Sequence, residues 1–122
     1  MKEYETLFLL QYDSTPEKVE TFNTRLGEII KNFKGQLFQT FNLGKRRLAY
    51  PVQKQDQGVY VWINYAGEGG LVAEIERILK YEDSVLKFIT VKLSDEANVE
   101  ERVKNPLVPV LSTYDEYDRN VA

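Results

Sequence analysis

Gln36-Leu37-Phe38-Gln39-Thr40-Phe41-Asn42-Leu43-Gly44-Lys45-Arg46-Arg47-Leu48-Ala49-Tyr50-Pro51-Val52 is followed by the polar run Gln53-Lys54-Gln55-Asp56-Gln57-Gly58. Val59-Tyr60-Val61-Trp62-Ile63-Asn64-Tyr65-Ala66 comes next. The outer segments are rich in aromatic and β-branched residues and are bounded by turn formers, so they read as two strands of one long hairpin. Gly44 inside the first strand predicts a bulge or bend. Pro51 has no N–H for a ladder, so it belongs near a strand end or on an edge. Residues 36–55 hold four basic side chains, Lys45, Arg46, Arg47 and Lys54, and no acidic one. Paired arginines beside an aromatic suit phosphate and base contact. A short basic cluster on a solvated strand is the plain alternative.

Outward toward the N-terminus, residues 3–12 alternate as a strand. Tyr4, Thr6, Phe8 and Leu10 share one face, and Glu5, Leu7 and Leu9 share the other. Apolar residues on both faces predict a central strand covered on each side. Asp13-Ser14-Thr15-Pro16-Glu17 stops it and starts a helix, with Ser14 and Glu17 spaced as a capping box. Val19, Phe22, Leu26, Ile29, Ile30 and Phe33 form one stripe of a helix over 16–34, and Gly35 is the expected terminator.

Outward toward the C-terminus, Gly67-Glu68-Gly69-Gly70 precedes a second helix over 71–80, striped with Leu71, Ile75, Ile78 and Leu79. The loop lacks the Lys-Ser/Thr ending of a phosphate-binding Walker loop and the spacing of a dinucleotide fingerprint, so it reads as a connection. Val85 to Leu93 is a fourth strand. From Ser94 the pattern fades into a short helical turn, then a proline-broken run around Pro106 and Pro109, then Tyr114-Asp115-Glu116-Tyr117-Asp118. Little there can be buried, so residues 94–122 read as an acidic tail, disordered alone, beside a folded domain of residues 1–93. Ending the chain after Leu93 or Ser94 is expected to leave cooperative unfolding largely intact.

Strand, helix, strand, strand, helix, strand is the split β-α-β order, βαββαβ, of the ferredoxin-like α+β fold. Its four-stranded antiparallel sheet has spatial order 4-1-3-2 with two helices on one face. The basic strand is then an edge, and the face opposite the helices needs a partner or the tail to cover it.

Composition narrows the function. The 122 residues make one domain with room for a tail. There is neither Cys nor His. That removes disulfides, thiol nucleophiles, zinc–thiolate sites and the usual neutral-pH base. No run reaches membrane-spanning length and the N-terminus lacks a signal pattern, so the cytoplasm is the default expectation. The net charge of −3 is unevenly spread. Residues 94–122 hold three Lys/Arg against seven Asp/Glu, and residues 1–93 hold thirteen against twelve. A near-neutral body can bind a polyanion if its charges are sorted by face.

At Gly44-Lys45-Arg46-Arg47-Leu48-Ala49-Tyr50-Pro51 the chain resembles the bacterial small-subunit ribosomal protein six family, whose motif Gly-x-Arg-Arg-Leu-Ala-Tyr-Pro is met at every fixed position. Tyr4-Glu5 opening the first strand, Gly58 and Trp62 agree, and the resemblance spans residues 2–93. It implies the ferredoxin-like fold, no catalysis, no cofactor and a place in the central domain (platform) of the small subunit. It also implies binding of small-subunit ribosomal RNA as a pair with small-subunit ribosomal protein eighteen. Some family members gain glutamates on a C-terminal Glu; this chain ends in Ala122, so that modification is not expected. Within this reading Lys45, Arg46, Arg47 and Lys54 contact phosphate and Tyr50 is placed to stack. Lys2, Lys87 and Lys92 are secondary candidates, while Trp62 and Tyr4 belong to core or interface.

Three rivals share the topology. A single-strand RNA binder of the RRM type should have a basic lead and a small residue in the third strand, which Gln57-Gly58-Val59-Tyr60-Val61-Trp62 lacks. An acylphosphatase-like enzyme needs an Arg in the first strand–helix loop, and Asp13-Ser14-Thr15-Pro16 offers none. A small-ligand regulatory domain would need a pocket that nothing in the sequence marks.

Overall fold

A computed structural model describes residues 1–109. The elements follow in order as β1 (Lys2–Gln11), α1 (Pro16–Asn32), β2 (Gln36–Val52), β3 (Gln55–Gly67), α2 (Leu71–Tyr81), β4 (Val85–Ser94) and α3 (Val99–Lys104). The strands form one sheet in the order β2-β3-β1-β4, antiparallel throughout. This is the ferredoxin-like arrangement, with the basic strand β2 at an edge. Among the described residues no helix is long and apolar enough to cross a membrane.

The period-2 alternation of the strands sorts their side chains onto two faces. Phe8, Leu10, Val61, Ile63 and Tyr65 meet Val19, Leu26 and Ile30 of α1 and Leu71, Ile75 and Leu79 of α2 in the main core. Tyr65 is fully buried. Its hydroxyl lies 2.9 Å from Thr6 Oγ1, which lies 2.8 Å from Thr90 Oγ1, so three strands share one hydroxyl chain. Burial pushes the Tyr65 phenol up to about 12.

Local chemistry departs from the sequence reading at four points. The cap of α1 is Thr15, whose side chain accepts from the Lys18 N–H at 3.2 Å; Ser14 is buried instead. Phe33 leaves the helical stripe, caps the C-terminus and is 42% exposed. The left-handed residue after it is Lys34 (φ 59°). Gly35 N–H donates to Ile30 O and Lys34 N–H to Lys31 O, the bonds of a Schellman ending. Gly35 is required for space: a Cβ there would stand 2.6 Å from Ala66 O. The hairpin turn is only Gln53-Lys54, both at positive φ as a type I′ turn demands, and Gln55–Gly58 belong to β3. Gly44 (φ 81°) lies at a register shift in the β2–β3 ladder, its N–H bonded to Asn42 Oδ1 at 2.8 Å.

The face opposite the helices is roofed by the chain itself. Leu7 and Trp62 are buried there against Phe41, Leu43, Tyr60, Ile89, Val91 and Leu107. On the same face Glu3 is 3% exposed, and its carboxylate accepts from Arg102 Nε (2.7 Å), Arg102 Nη2 (3.2 Å) and Asn64 Nδ2 (3.0 Å). The Ala97 N–H donates to Met1 O at 2.6 Å. Residues 97–107 therefore stay against the sheet, where the sequence reading ends the packed unit at residue 93. Alone, α3 buries none of its residues, so its sequence shows no stripe. What holds it is a charge partner far away in the chain. The expectations for Tyr114-Asp115-Glu116-Tyr117-Asp118 and the C-terminus fall outside the described residues.

Candidate nucleic-acid interface

β1 ends where Gln11 pairs with Gly58, but β2 and β3 continue as a two-stranded arm. The arm is irregular. Between Arg47 (opposite Gln57) and Val52 (opposite Gln55) β2 carries extra residues, and Pro51 sits in that interruption, where no ladder N–H is needed. Register sorts the cations. Arg46 lies opposite Gly58, on the face of Leu9 and Trp62; Lys45 and Arg47 lie opposite Val59 and Gln57, on the helix face. Lys54 occupies the turn at the tip. All four are exposed, and among the described residues none is in an ion pair.

Among the described residues, side-chain contacts tie this end of the hairpin to the body. Gln53 Nε2 donates to Leu86 O of β4 at 2.7 Å. Lys87 Nζ donates to the Tyr50 hydroxyl at 3.3 Å and stands 4.9 Å from the ring centroid. Lys45 Nζ sits 4.4 Å from the centre of the Tyr12 ring. Tyr rings hold these ammonium groups without cancelling their charge, as a carboxylate would. Tyr12 and Gln53 were not singled out from the sequence, because each works through a partner that only the folded chain brings near.

The structure thus gathers Lys45, Arg46, Arg47, Tyr50, Lys54 and Lys87 at one end of the sheet. Lys2 and Lys92 lie at the other, opposite Gly67 and Tyr4. Lys92 Nζ is bonded to Asp95 Oδ1 at 2.7 Å, which raises the lysine pKa and lowers that of the aspartate, so its charge is locally compensated. The glycine loop before α2 places Glu68 3.4 Å from the N-terminal ammonium. Among the described residues, no exposed aromatic platform of the RRM kind occupies the middle of the face opposite the helices, where Trp62 is fully buried and Leu7 nearly so.

These features define a ferredoxin-like domain with a basic hairpin arm at one sheet edge. The profile of the family described as Ribosomal protein S6 matches residues 3–92. Among relatives named small ribosomal subunit protein bS6, that of Geotalea daltonii is 37% identical over 97 residues, covering 80% of this chain and 76% of its own. That of Nitratidesulfovibrio vulgaris (strain DP4) is 40% identical over 95 residues, covering 78% and 94%. That of Synechococcus elongatus is 42% identical over 89 residues, covering 73% and 83%. The crystal structure of 30S ribosomal protein S6 from Thermotoga maritima superposes with a TM-score of 0.69 at 22% identity, over 84% of this chain and 94% of that one, and supports the fold. The chain belongs to the ribosomal protein S6 family. It is a small-subunit ribosomal protein with a structural role.

Proposed function

We propose that this chain binds small-subunit ribosomal RNA in the central domain (platform) of the subunit, together with small-subunit ribosomal protein eighteen, and catalyses no reaction. The observation that carries the RNA assignment is the basic end of the β2–β3 hairpin: four exposed cations, none of them paired with a carboxylate among the described residues, Lys45 and Arg46 at the last positions flanked by β1 and Arg47 and Lys54 on the two-stranded extension. Folded RNA is recognised through shape, phosphate and 2′-OH, so a projecting charged ribbon acts as a clamp and not as a sequence reader. Lys45, Arg46, Arg47 and Lys54 supply phosphate contacts, with Lys87 and Tyr50 beside them. The protein partner has two surfaces available. One is the outer edge of β2, which pairs with no strand among the described residues, beside a groove of about 490 Å³ lined by Asn23, Gly27, Leu37 and Thr40. The other is the half-buried apolar rim of Phe41, Leu43, Ile89 and Val91.

The test is a salt titration of binding to a central-domain rRNA fragment, with protein eighteen present, for the parent, Arg46→Glu and Arg47→Glu. Each lost phosphate contact removes about 0.7–0.9 from the slope of log affinity against log salt. Retained affinity and slope in both folded variants would reject the arm as the RNA surface. The pairing is tested separately: protein eighteen at saturation should raise the thermal midpoint through linkage, and an unchanged midpoint counts against it.

A further inference from the structure

The described chain ends on a course toward the arm. Arg102 is fixed at Glu3, near the start of β1, and Leu107 packs at Leu7, four residues further along the same strand. The next positions in that direction are Leu9 and its neighbour Lys87, which leans on Tyr50 of the arm. Leu7 to Leu9 is a step of roughly 7 Å along a strand. Beyond Pro109 the chain has thirteen more residues, including Tyr114-Asp115-Glu116-Tyr117-Asp118, with Arg119 as their one cation. Seven extended residues, from Leu107 to Tyr114, span up to roughly 23 Å, so the carboxylates reach the cations with chain to spare.

We propose that the acidic segment Tyr114–Asp118 docks on the basic arm of its own chain, around Arg46, Lys54, Lys87 and Tyr50, and occupies the polyanion surface when no nucleic acid is bound. Charge complementarity selects the occupant. The arm lacks carboxylate partners for Arg46 and Lys54 among the described residues, and the segment carries three carboxylates within four positions. A short tether anchored by Leu107 gives the segment a millimolar effective concentration, which a free acidic peptide must exceed to compete. Any RNA bound by the arm must then displace the segment. That consequence rests on the proposed function; the contact itself does not.

The experiment compares the full chain with its full-length Asp115→Asn/Glu116→Gln/Asp118→Asn variant. Without RNA, the backbone amide resonances of Arg46, Lys54 and Lys87 should differ between the two at low salt and converge at high salt. Identical arm resonances at low salt overturn the contact. Differences that grow with protein concentration assign it to a second copy and overturn the intramolecular reading. With an rRNA fragment at low salt, the variant should bind about 3- to 10-fold more tightly, the effect of a segment docked roughly 70–90% of the time. Shifted resonances with unchanged affinity reject the competition. If neither protein binds the fragment, the proposed function fails while the resonances still decide the contact.

Discussion

Replacing Arg102 by Met tests whether the C-terminal segment is part of the fold. Glu3 is 3% exposed and Arg102 is the cation facing it, with 23% of its side chain accessible. The substitution removes two of the three hydrogen bonds to the carboxylate, leaving Asn64 Nδ2 alone on a buried charge. Removing one partner of a buried ion pair costs about 3–5 kcal/mol, mostly from the stranded charge. Here α3 is six residues long and buries none of them, so it can lift and admit water. The lower end, about 3 kcal/mol, is therefore expected, or a fall of roughly 12 °C in Tm for a domain of this size.

The assay is urea unfolding of the parent, Arg102→Met, Glu3→Gln and the double variant, with a shared m-value as the check on two-state behaviour. The double variant no longer buries a charge, so the cycle should show a coupling of at least about 1.5 kcal/mol. An Arg102→Met cost below about 0.5 kcal/mol, with additive single effects, would refute the claim that Glu3 is held by α3. Truncation after Ser94 deletes Arg102, Leu107 and the Ala97–Met1 bond together. It should cost at least as much, the reverse of what the sequence pattern suggests.

Gly35→Ala should destabilise by about 2 kcal/mol or more, because the added Cβ meets the Ala66 carbonyl oxygen at 2.6 Å and rigid backbone cannot step aside. Gly44→Ala meets nothing within 4 Å and should cost only the left-handed backbone, about 1–2 kcal/mol, at equal φ of 81°. Tyr65 gives a pH signature. Unfolded, it loses its proton near pH 10, whereas the native phenol keeps it to about 12, so the stability it contributes is complete below pH 10 and falls by roughly 2–3 kcal/mol as pH rises through 12. Urea midpoints between pH 9 and pH 12 should show that fall, and Tyr65→Phe should flatten it at a cost of about 1 kcal/mol near neutral pH.

The fold was legible because its signals are local and periodic. Alternation in residues 3–12 and 59–66, the stripe of Val19, Leu26 and Ile30, and one helix between strands on each side of the hairpin left little choice of topology. The turn Gln53-Lys54 was hidden because neither residue is Gly, Asn or Asp, the usual bearers of positive φ. Thr15 won the cap from Ser14 by one residue, a distinction that depends on where the backbone leaves β1. The Glu3–Arg102 pair joins residues 99 apart, and nothing in either neighbourhood marks the other. At the candidate site, the absence of acidic residues over 36–55 disclosed the cluster. Its separation from Lys2 and Lys92 required the register, and the roles of Tyr12 and Gln53 required the folded arm.

The way the arm is held bears on what it can do. Two strands alone are marginal in water, and beyond Gly58 this ribbon has no third among the described residues. Concentrated positive charge weakens it further by self-repulsion. Carboxylate partners would solve the stability problem and abolish the field that attracts phosphate. The observed contacts solve it differently: Gln53 bonds a backbone carbonyl of β4, while Lys45 and Lys87 rest on tyrosine rings whose quadrupole attracts a cation without adding negative charge. The arm is thereby positioned by the body through contacts that add no negative charge of their own. A polyanion meeting it loses little to ordering the hairpin, and its affinity depends on salt through the cations it contacts. Among the described residues, few side-chain contacts brace the arm beyond Gly58. Exchange of its amides should therefore report local opening well below the global unfolding free energy, and bound RNA should raise that protection.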